Sequence, residues 1–152
     1  MEKVTGIDGL FFRAKDPATL GEWYQEHLGV TLTPTSYEKS GWVQEAGPTA
    51  FSPFPETTDY FGDRKQAWMV NFRVRNLEAM AAQLRARGIA VEVDAQQYPN
   101  GRFARLYDPE GNPVELWEPA GTRRVRPGAW PVESSAGFGP RQRVVGSSHQ
   151  HA

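Results

Sequence analysis

The length and composition of the chain fit one ordinary domain or two small fused modules. The chain has 152 residues, of which 39% are hydrophobic and 12% aromatic, and it contains no cysteine. Disulfides, thiolate metal sites and a cysteine nucleophile are therefore excluded. No apolar run approaches the ~20 residues that a membrane span requires, and the first residues lack a signal-peptide core. These features predict a cytoplasmic protein without a membrane partner.

The net charge of −1 conceals an uneven distribution along the chain. Residues 1–119 contain 12 basic and 17 acidic residues, whereas residues 120–152 contain five arginines and a single acid, Glu133. An acidic body is not typical of nucleic-acid-binding domains, so no nucleic-acid partner is expected. Residues 120–152 are rich in Pro, Gly, Ser and Arg without periodicity, which predicts a flexible, disordered tail. Its His149 and His151 would chelate a metal only weakly, because nothing holds the pair in place.

Two similar segments lie 60 residues apart, and each leads into a predicted helix. Residues 12–16 read Phe-Arg-Ala-Lys-Asp, and residues 72–76 read Phe-Arg-Val-Arg-Asn. The last residue of each segment, Asp16 or Asn76, is a good helix N-cap. The helices are predicted to end at glycines, Gly29 and Gly88. Apolar residues recur at helical spacing in both, so each helix is expected to lay one face on a sheet.

Short strands are predicted after each helix, which gives both halves the order βαβββ. They are residues 30–32, 42–45 and 49–52 in the first half, and 89–93, 103–107 and 114–117 in the second. Neither half alone would bury enough surface, so the two should pack together. The sequence predicts an α+β fold of two tandem modules: module one at about 4–53, a linker at about 53–66 and module two at about 67–119.

Residues 108–119 form a predicted tight turn followed at once by a strand that carries a carboxylate. They read Asp-Pro-Glu-Gly-Asn-Pro-Val-Glu-Leu-Trp-Glu-Pro. Alternation along the strand puts Val114 and Leu116 on one face, and Glu115 and Trp117 on the other. The apolar face suggests the core, so Glu115 should point away from it. It is then either an ordinary solvent-facing residue or a candidate ligand or base.

Paired βαβββ modules that close with this motif resemble the vicinal oxygen chelate superfamily. That superfamily includes glyoxalase I, extradiol dioxygenases and the fosfomycin-resistance and bleomycin-resistance proteins. Residues 9–16, 23–24 and 28–29 support the resemblance, and residues 52–61 look like a subgroup of glyoxalase-like proteins. The resemblance covers residues 4–119. It implies one domain of two curved sheets around a cavity, and it makes a homodimer the expected assembly.

The resemblance also implies four ligand positions, usually His, Gln or Glu, in metal-dependent members. Mapped onto this sequence, they fall on Gly9, Phe51, Met69 and Glu115. Only Glu115 can hold a divalent metal, whereas such ions need several oxygen or nitrogen ligands. No cofactor is therefore expected, and a divalent metal held by Glu115 is the alternative.

Residues that share a strand face with these positions should line the same cavity. The predicted ligand-binding residues are mostly aromatic with a few polar groups: Phe11, Trp42, Phe51, Tyr60, Met69, Asn71, Arg105, Tyr107, Glu115 and Trp117. The apolar members would serve equally well to pack the two sheets together. Arg105 could form a salt bridge with Glu115 across neighbouring strands, which would make Glu115 a poor general base.

Two main hypotheses of function follow from this set of residues. The first is a glyoxalase/bleomycin-resistance-like protein that binds or sequesters an aromatic or amphipathic small molecule without a metal. Stacking would supply affinity, and Arg105, Asn71 and Glu115 would orient the ligand. The second is a glyoxalase-type or dioxygenase-type enzyme, with lyase or isomerase chemistry, in which Glu115 is metal ligand or general base. A third is an interaction module that uses the basic tail as its contact.

Overall fold

The computed structural model describes residues 1–63 and 65–121. The elements in this part of the chain are α1 (Pro17–Leu28), β1 (Val70–Arg73), α2 (Leu77–Ala86), β2 (Glu92–Val93), β3 (Gly101–Tyr107) and β4 (Pro113–Pro119). The predicted tail lies outside the described residues from position 122 onward, and His149 and His151 lie there with it. Neither helix in the described ranges has the length and apolar character that crossing a membrane requires.

The chain divides into two compact units. The first comprises Met1–Pro48 and the turn Asp108–Gly111, and the second comprises Thr49–Tyr107 and the residues from Asn112 onward. The second unit contains the element order β1-α2-β2-β3-β4. This is the βαβββ order predicted for module two.

The second unit is built on one open, four-stranded sheet with the order β1-β4-β3-β2. β3 pairs antiparallel with β2 and β4, and β1 runs parallel to β4. The strand predicted at 89–93 is shorter than expected and spans only Glu92–Val93. The backbone before it forms hydrogen bonds with α2 and not with β3. The N–H of Ile89 donates to the carbonyl of Leu84, and the carbonyl of Val91 accepts from the Arg85 guanidinium.

The core of the second unit lies between α2 and one face of this sheet. Helix α2 packs on β3 and β4. The fully buried side chains come from the helix and from alternate strand positions: Leu77, Ala81, Leu84, Leu106, Val114 and Leu116. Because strand side chains alternate between faces, burial of Val114 and Leu116 against α2 turns Glu115 and Trp117 to the opposite face. The predicted orientation of β4 is therefore confirmed.

Both predicted helices form, and each begins at its predicted cap. The side chain of Asp16 accepts hydrogen bonds from the N–H and hydroxyl of Thr19, and that of Asn76 accepts from the N–H of Ala79. Helix α1 ends at Gly29, whose φ of +70° lies in the left-handed region that glycine enters without strain. Local capping chemistry thus sets the ends of α1.

The acidic residues of the 108–111 turn hold the first unit together. The Glu110 carboxylate accepts the N–H groups of Lys15 and Asp16, both at 2.9 Å, and these hydrogen bonds lower the pKa of Glu110. Asp108 is buried and accepts the Tyr24 hydroxyl at 2.9 Å. The turn therefore binds the start of α1 through one carboxylate and the body of α1 through the other.

The prediction of strands in the first half was wrong for the described structure. Segments 30–32, 42–45 and 49–52 were expected to be strands, yet no strand forms within residues 1–63. A strand needs a neighbouring backbone to pair its N–H and C=O groups. At the start of the first segment, the N–H of Val30 donates instead to the carbonyl of Tyr24 at the end of α1. The tandem arrangement of two βαβββ modules is therefore not confirmed.

Removal of the Tyr24 hydroxyl should destabilise the protein and change its response to pH. Tyr24→Phe leaves the buried Asp108 carboxylate with one hydrogen bond fewer, which should lower the free energy of unfolding by about 1–3 kcal/mol near neutral pH. Burial and the Asp108 charge raise the pKa of Tyr24 above its ordinary 10.0. The unfolded chain therefore loses this proton first, and stability should fall as the pH rises above about 10.

Urea unfolding of wild type and Tyr24→Phe at neutral and alkaline pH measures both effects. The variant should be less stable at neutral pH and should lose less stability above pH 10. Tyr37→Phe is the matched control, because Tyr37 is fully exposed. A Tyr24→Phe protein with wild-type stability at both pH values would contradict the assigned role.

Candidate functional site

Glu115 is a buried carboxylate in the middle of an interior strand. Its side chain is only 5% exposed, although it lies on the sheet face away from α2. Its direct cross-strand neighbours are Asn71 on β1 and Arg105 on β3. Directly opposite side chains in a sheet lie close enough to interact. The strand register therefore brings an amide and a guanidinium to either side of the carboxylate.

Both oxygens of the Glu115 carboxylate are engaged. Oε1 accepts the side-chain amide of Asn71 at 2.7 Å, and Oε2 accepts the Tyr60 hydroxyl at 2.6 Å. Nη2 of Arg105 lies 3.5 Å from Oε2, which gives the predicted ion pair between β3 and β4. The two short distances are typical of hydrogen bonds to a charged acceptor. Tyr60, Asn71, Arg105 and Glu115 are named here the Glu115 cluster.

Tyr60 reaches the cluster from a segment without helix or strand. A local turn shapes this segment: the N–H of Thr58 donates to the carbonyl of Pro55, and the N–H of Tyr60 donates to the Thr58 hydroxyl. The Tyr60 ring stacks on Phe54 with centroids 5.2 Å apart, and Phe61 meets Phe54 edge-on at 5.1 Å. Aromatic packing therefore holds the Tyr60 ring in position.

The Tyr60 hydroxyl is a hydrogen-bond donor in this site. Burial is the main cause that raises the pKa of Tyr60, and the nearby Glu115 carboxylate raises it further. Arg105 opposes this shift to a smaller extent. The phenol consequently stays protonated at neutral pH and donates to Oε2.

Arg105 is not fully satisfied within the cluster. Its Nη2 atom is buried and makes no hydrogen bond, since 3.5 Å from Oε2 is too long for one. The guanidinium carbon lies 4.6 Å from the centroid of the Tyr60 ring, which is a cation–π distance. Tyr60 thus occupies Oε2 at 2.6 Å while Arg105 stays farther from the same oxygen.

Trp117 and Tyr107 have structural contacts of their own. The Trp117 ring lies parallel to that of Phe103 at 6.5 Å, and its Nε1 donates to the carbonyl of Asn100 at 3.0 Å. Tyr107 is half-exposed at the end of β3, with its hydroxyl close to Gly62. Contacts within the second unit therefore hold the Trp117 side chain in place.

The remaining predicted residues are not part of the Glu115 cluster. Phe51 belongs to the second unit and is 85% exposed, and Met69 is half-buried just before β1. Phe11 and Trp42 belong to the first unit, where Phe11 is 93% exposed and Trp42 is 38% exposed. The structure thus brings together the three polar predicted residues and one aromatic, Tyr60.

The donor set around Glu115 does not fit a divalent metal. Within the described ranges, no group of three or more His, Asp or Glu side chains could hold one. The neighbours of Glu115 are a phenol, an amide and a guanidinium, and the fixed positive charge of Arg105 would repel a cation beside the carboxylate.

Sequence reasoning missed several residues that shape the site and the turn. Phe54 and Phe61 position Tyr60, and Asp108 and Glu110 bind α1. The aromatic residues of 54–61 lie in an apparent linker that contains Pro55, where neither helical nor strand periodicity applies. The one sequence feature that could have indicated their role is the presence of three aromatic residues in an otherwise polar segment.

Loss of the Glu115 charge should destabilise the second unit. Glu115→Gln replaces the charged acceptor of the Tyr60 and Asn71 hydrogen bonds and removes the anion beside Arg105. We expect the free energy of unfolding to fall by about 1–3 kcal/mol, which urea unfolding would measure. Glu22→Gln is the control, because Glu22 is an exposed carboxylate on α1 in the first unit. Equal stability of Glu115→Gln and wild type would contradict the contacts described.

Comparisons with known proteins place the chain in a family. The sequence model of the glyoxalase-like domain matches residues 9–117. No curated protein matches the chain. The fold is similar to that of TnmS3, an antibiotic binding protein from Streptomyces sp. CB03234, with 23% identity and a TM-score of 0.53 over 79% of this chain and 100% of that one.

A second solved structure shares the fold to a similar degree. It is a glyoxalase family protein from Bacillus anthracis, with 19% identity and a TM-score of 0.51 over 79% of this chain and 99% of that one. At these identities the structural likeness concerns the fold, whereas the sequence match at 9–117 covers most of the chain. The chain belongs to the glyoxalase-like domain family of the vicinal oxygen chelate superfamily.

Proposed function

We propose that the protein binds and sequesters an aromatic or amphipathic small molecule without the help of a metal. The observation that carries this proposal is the Glu115 cluster, in which a carboxylate, an amide and a guanidinium converge on one sheet face beside aromatic rings. A few fixed polar groups within an aromatic surrounding are typical of small-molecule sites. Glu115 and Arg105 offset each other in charge, which favours an uncharged ligand group.

The individual residues have distinct parts in this proposal. Arg105 would offer a guanidinium N–H, Asn71 its side-chain carbonyl, and Glu115 a charged acceptor. Aromatic residues of the second unit, Tyr60, Tyr107 and Trp117, would supply flat surface for stacking. Phe51 and Met69, which also belong to the second unit, would add apolar contact. The likeness to TnmS3, an antibiotic binding protein, supports the same class of function at the level of fold.

Catalysis by Glu115 has less support. A general base must reach the proton that it removes, and Oε1 and Oε2 already accept hydrogen bonds from Asn71 and Tyr60. A metal-ligand role would require further oxygen or nitrogen ligands near the carboxylate. The lyase, isomerase or dioxygenase hypothesis therefore lacks a specific observation in its favour.

We also propose that the protein acts as a homodimer in the cytoplasm. Many large apolar side chains are exposed in the first third of the chain: Val4, Ile7, Leu10, Phe11, Leu32, Val43 and Phe51. Large apolar side chains exposed in this number favour burial in an interface over contact with water.

Ligand screening tests the binding function. A panel of aromatic and amphipathic compounds would be tested by thermal shift and titration calorimetry, and at least one should bind with one molecule per chain. Arg105→Ala should weaken that compound about tenfold, because a hydrogen bond from a charged donor is lost.

Arg102→Ala is the matched control. Arg102 lies on the same strand but pairs with Glu78 of α2, on the other face of the sheet. Equal losses in the two variants, or no binding across the panel, would contradict the proposal. Turnover of a bound compound that Glu115→Gln abolishes would favour the enzyme hypothesis instead.

Light scattering coupled to size-exclusion chromatography tests the assembly. Wild type should have twice the mass of the chain, and Phe11→Glu should shift it toward the monomer, because a charge would be buried in the interface. Ala82→Glu on the exposed side of α2 serves as the control and should leave the mass unchanged. A monomeric wild type would contradict the homodimer.

A further inference from the structure

Tyr60 makes the contacts that a bound aromatic molecule would make. Its hydroxyl donates to Oε2 of Glu115 at 2.6 Å, and its ring lies 4.6 Å from the guanidinium carbon of Arg105. We propose that Tyr60 is a displaceable internal occupant of the Glu115 cluster, and that the ligand which replaces it is a neutral hydroxyl-bearing aromatic of the phenol type. This inference rests on the proposed binding function and names the ligand class for it.

The charges of the cluster select a neutral hydrogen-bond donor. A carboxylate oxygen can only accept, so the ligand group that takes the place of the Tyr60 hydroxyl must donate a proton to Oε2. An anionic group would meet the Glu115 charge, and a cationic group would meet Arg105. A phenolic hydroxyl satisfies both constraints, and its ring can lie against the guanidinium as the Tyr60 ring does.

The attachment of Tyr60 is of a kind that can be released. The segment 54–61 contains turns but no helix or strand, so departure of Tyr60 breaks no ladder of backbone hydrogen bonds. Its described anchors are the stacking on Phe54, the edge contacts of Phe61 and the turn bond to Thr58. Segments of this kind open at lower cost than core strands and helices.

Arg105 offsets part of the cost of opening. Its Nη2 is buried without a hydrogen bond, 3.5 Å from the oxygen that Tyr60 occupies. When Tyr60 leaves, the guanidinium can move toward Oε2 and donate to it at a normal hydrogen-bond distance. The open form therefore gains a charge-assisted bond, and a ligand hydroxyl can still take the place of the Tyr60 hydroxyl, because a carboxylate oxygen accepts more than one hydrogen bond.

A pair of probes that differ in one hydrogen-bond donor tests the inference. The compound p-cresol has the Tyr side-chain structure, and 4-methylanisole has the same ring with the hydroxyl methylated. Titration calorimetry with wild type and Tyr60→Ala should give about tenfold tighter p-cresol binding in the variant, because the internal competitor is gone. In the variant, p-cresol should bind about tenfold tighter than 4-methylanisole.

Two further variants test the inference if Tyr60→Ala does not fold, and test the role of the Glu115 acceptor. Tyr60→Phe retains the ring but frees Oε2, so it should also tighten p-cresol binding even if Tyr60→Ala fails to fold. The double variant Tyr60→Phe with Glu115→Gln should have a smaller preference for the hydroxyl-bearing probe than Tyr60→Phe alone, because a neutral amide oxygen is a weaker acceptor than a carboxylate. Near-ultraviolet circular dichroism of each variant checks that the fold is retained.

The outcomes separate this inference from the proposed function. Equal binding of the two probes would overturn it, as would unchanged or weaker p-cresol binding in the folded Tyr60 variants. If compounds of the aromatic panel bind without dependence on a hydroxyl or on Tyr60, the inference fails and the proposed function stands. If no compound binds any variant, both fail.

Discussion

The second unit is organised around a buried charge on an interior strand. The position of Glu115 on β4 follows from the burial of Val114 and Leu116 against α2, since strand alternation leaves it no other face. A carboxylate that is 5% exposed must find partners, because an unpaired buried charge is far costlier than a hydrogen-bonded one. The flanking strands supply Asn71 and Arg105, and Tyr60 comes from a distant segment.

The two acids of the 108–111 turn have an equivalent role in the first unit. Asp108 and Glu110 sit where the sequence motif suggested only turn chemistry, yet one accepts the Tyr24 hydroxyl and the other accepts two N–H groups at the start of α1. The orphan N–H groups of a helix start need such acceptors. A single motif therefore contributes the carboxylates on which both units depend.

Features that depend on contacts between residues near in sequence were predicted correctly, whereas most features that depend on distant residues were not. The helix starts at Asp16 and Asn76 were predictable because the caps act within three residues, and β4 was predictable from its alternation. The three strands of the first half were not, since a strand forms only where another backbone pairs with it. Asn71, Arg105 and Glu115 were predicted together because strand register joins them. Tyr60 was expected only as one of several aromatic lining residues and not as a partner of Glu115, because periodicity carries no information about a turn-rich segment.

The assignment of the 108–111 turn to the first unit limits how this chain can be divided. The sequence suggests a cut in the linker, which would yield two fragments of similar order. A fragment that ends at residue 48 would lack Asp108 and Glu110, so the N–H groups of Lys15 and Asp16 would lose their acceptor and the Tyr24 hydroxyl its partner. The first unit is therefore discontinuous in sequence, and recombination by exchange of halves would have to carry the β3–β4 turn along with the first half.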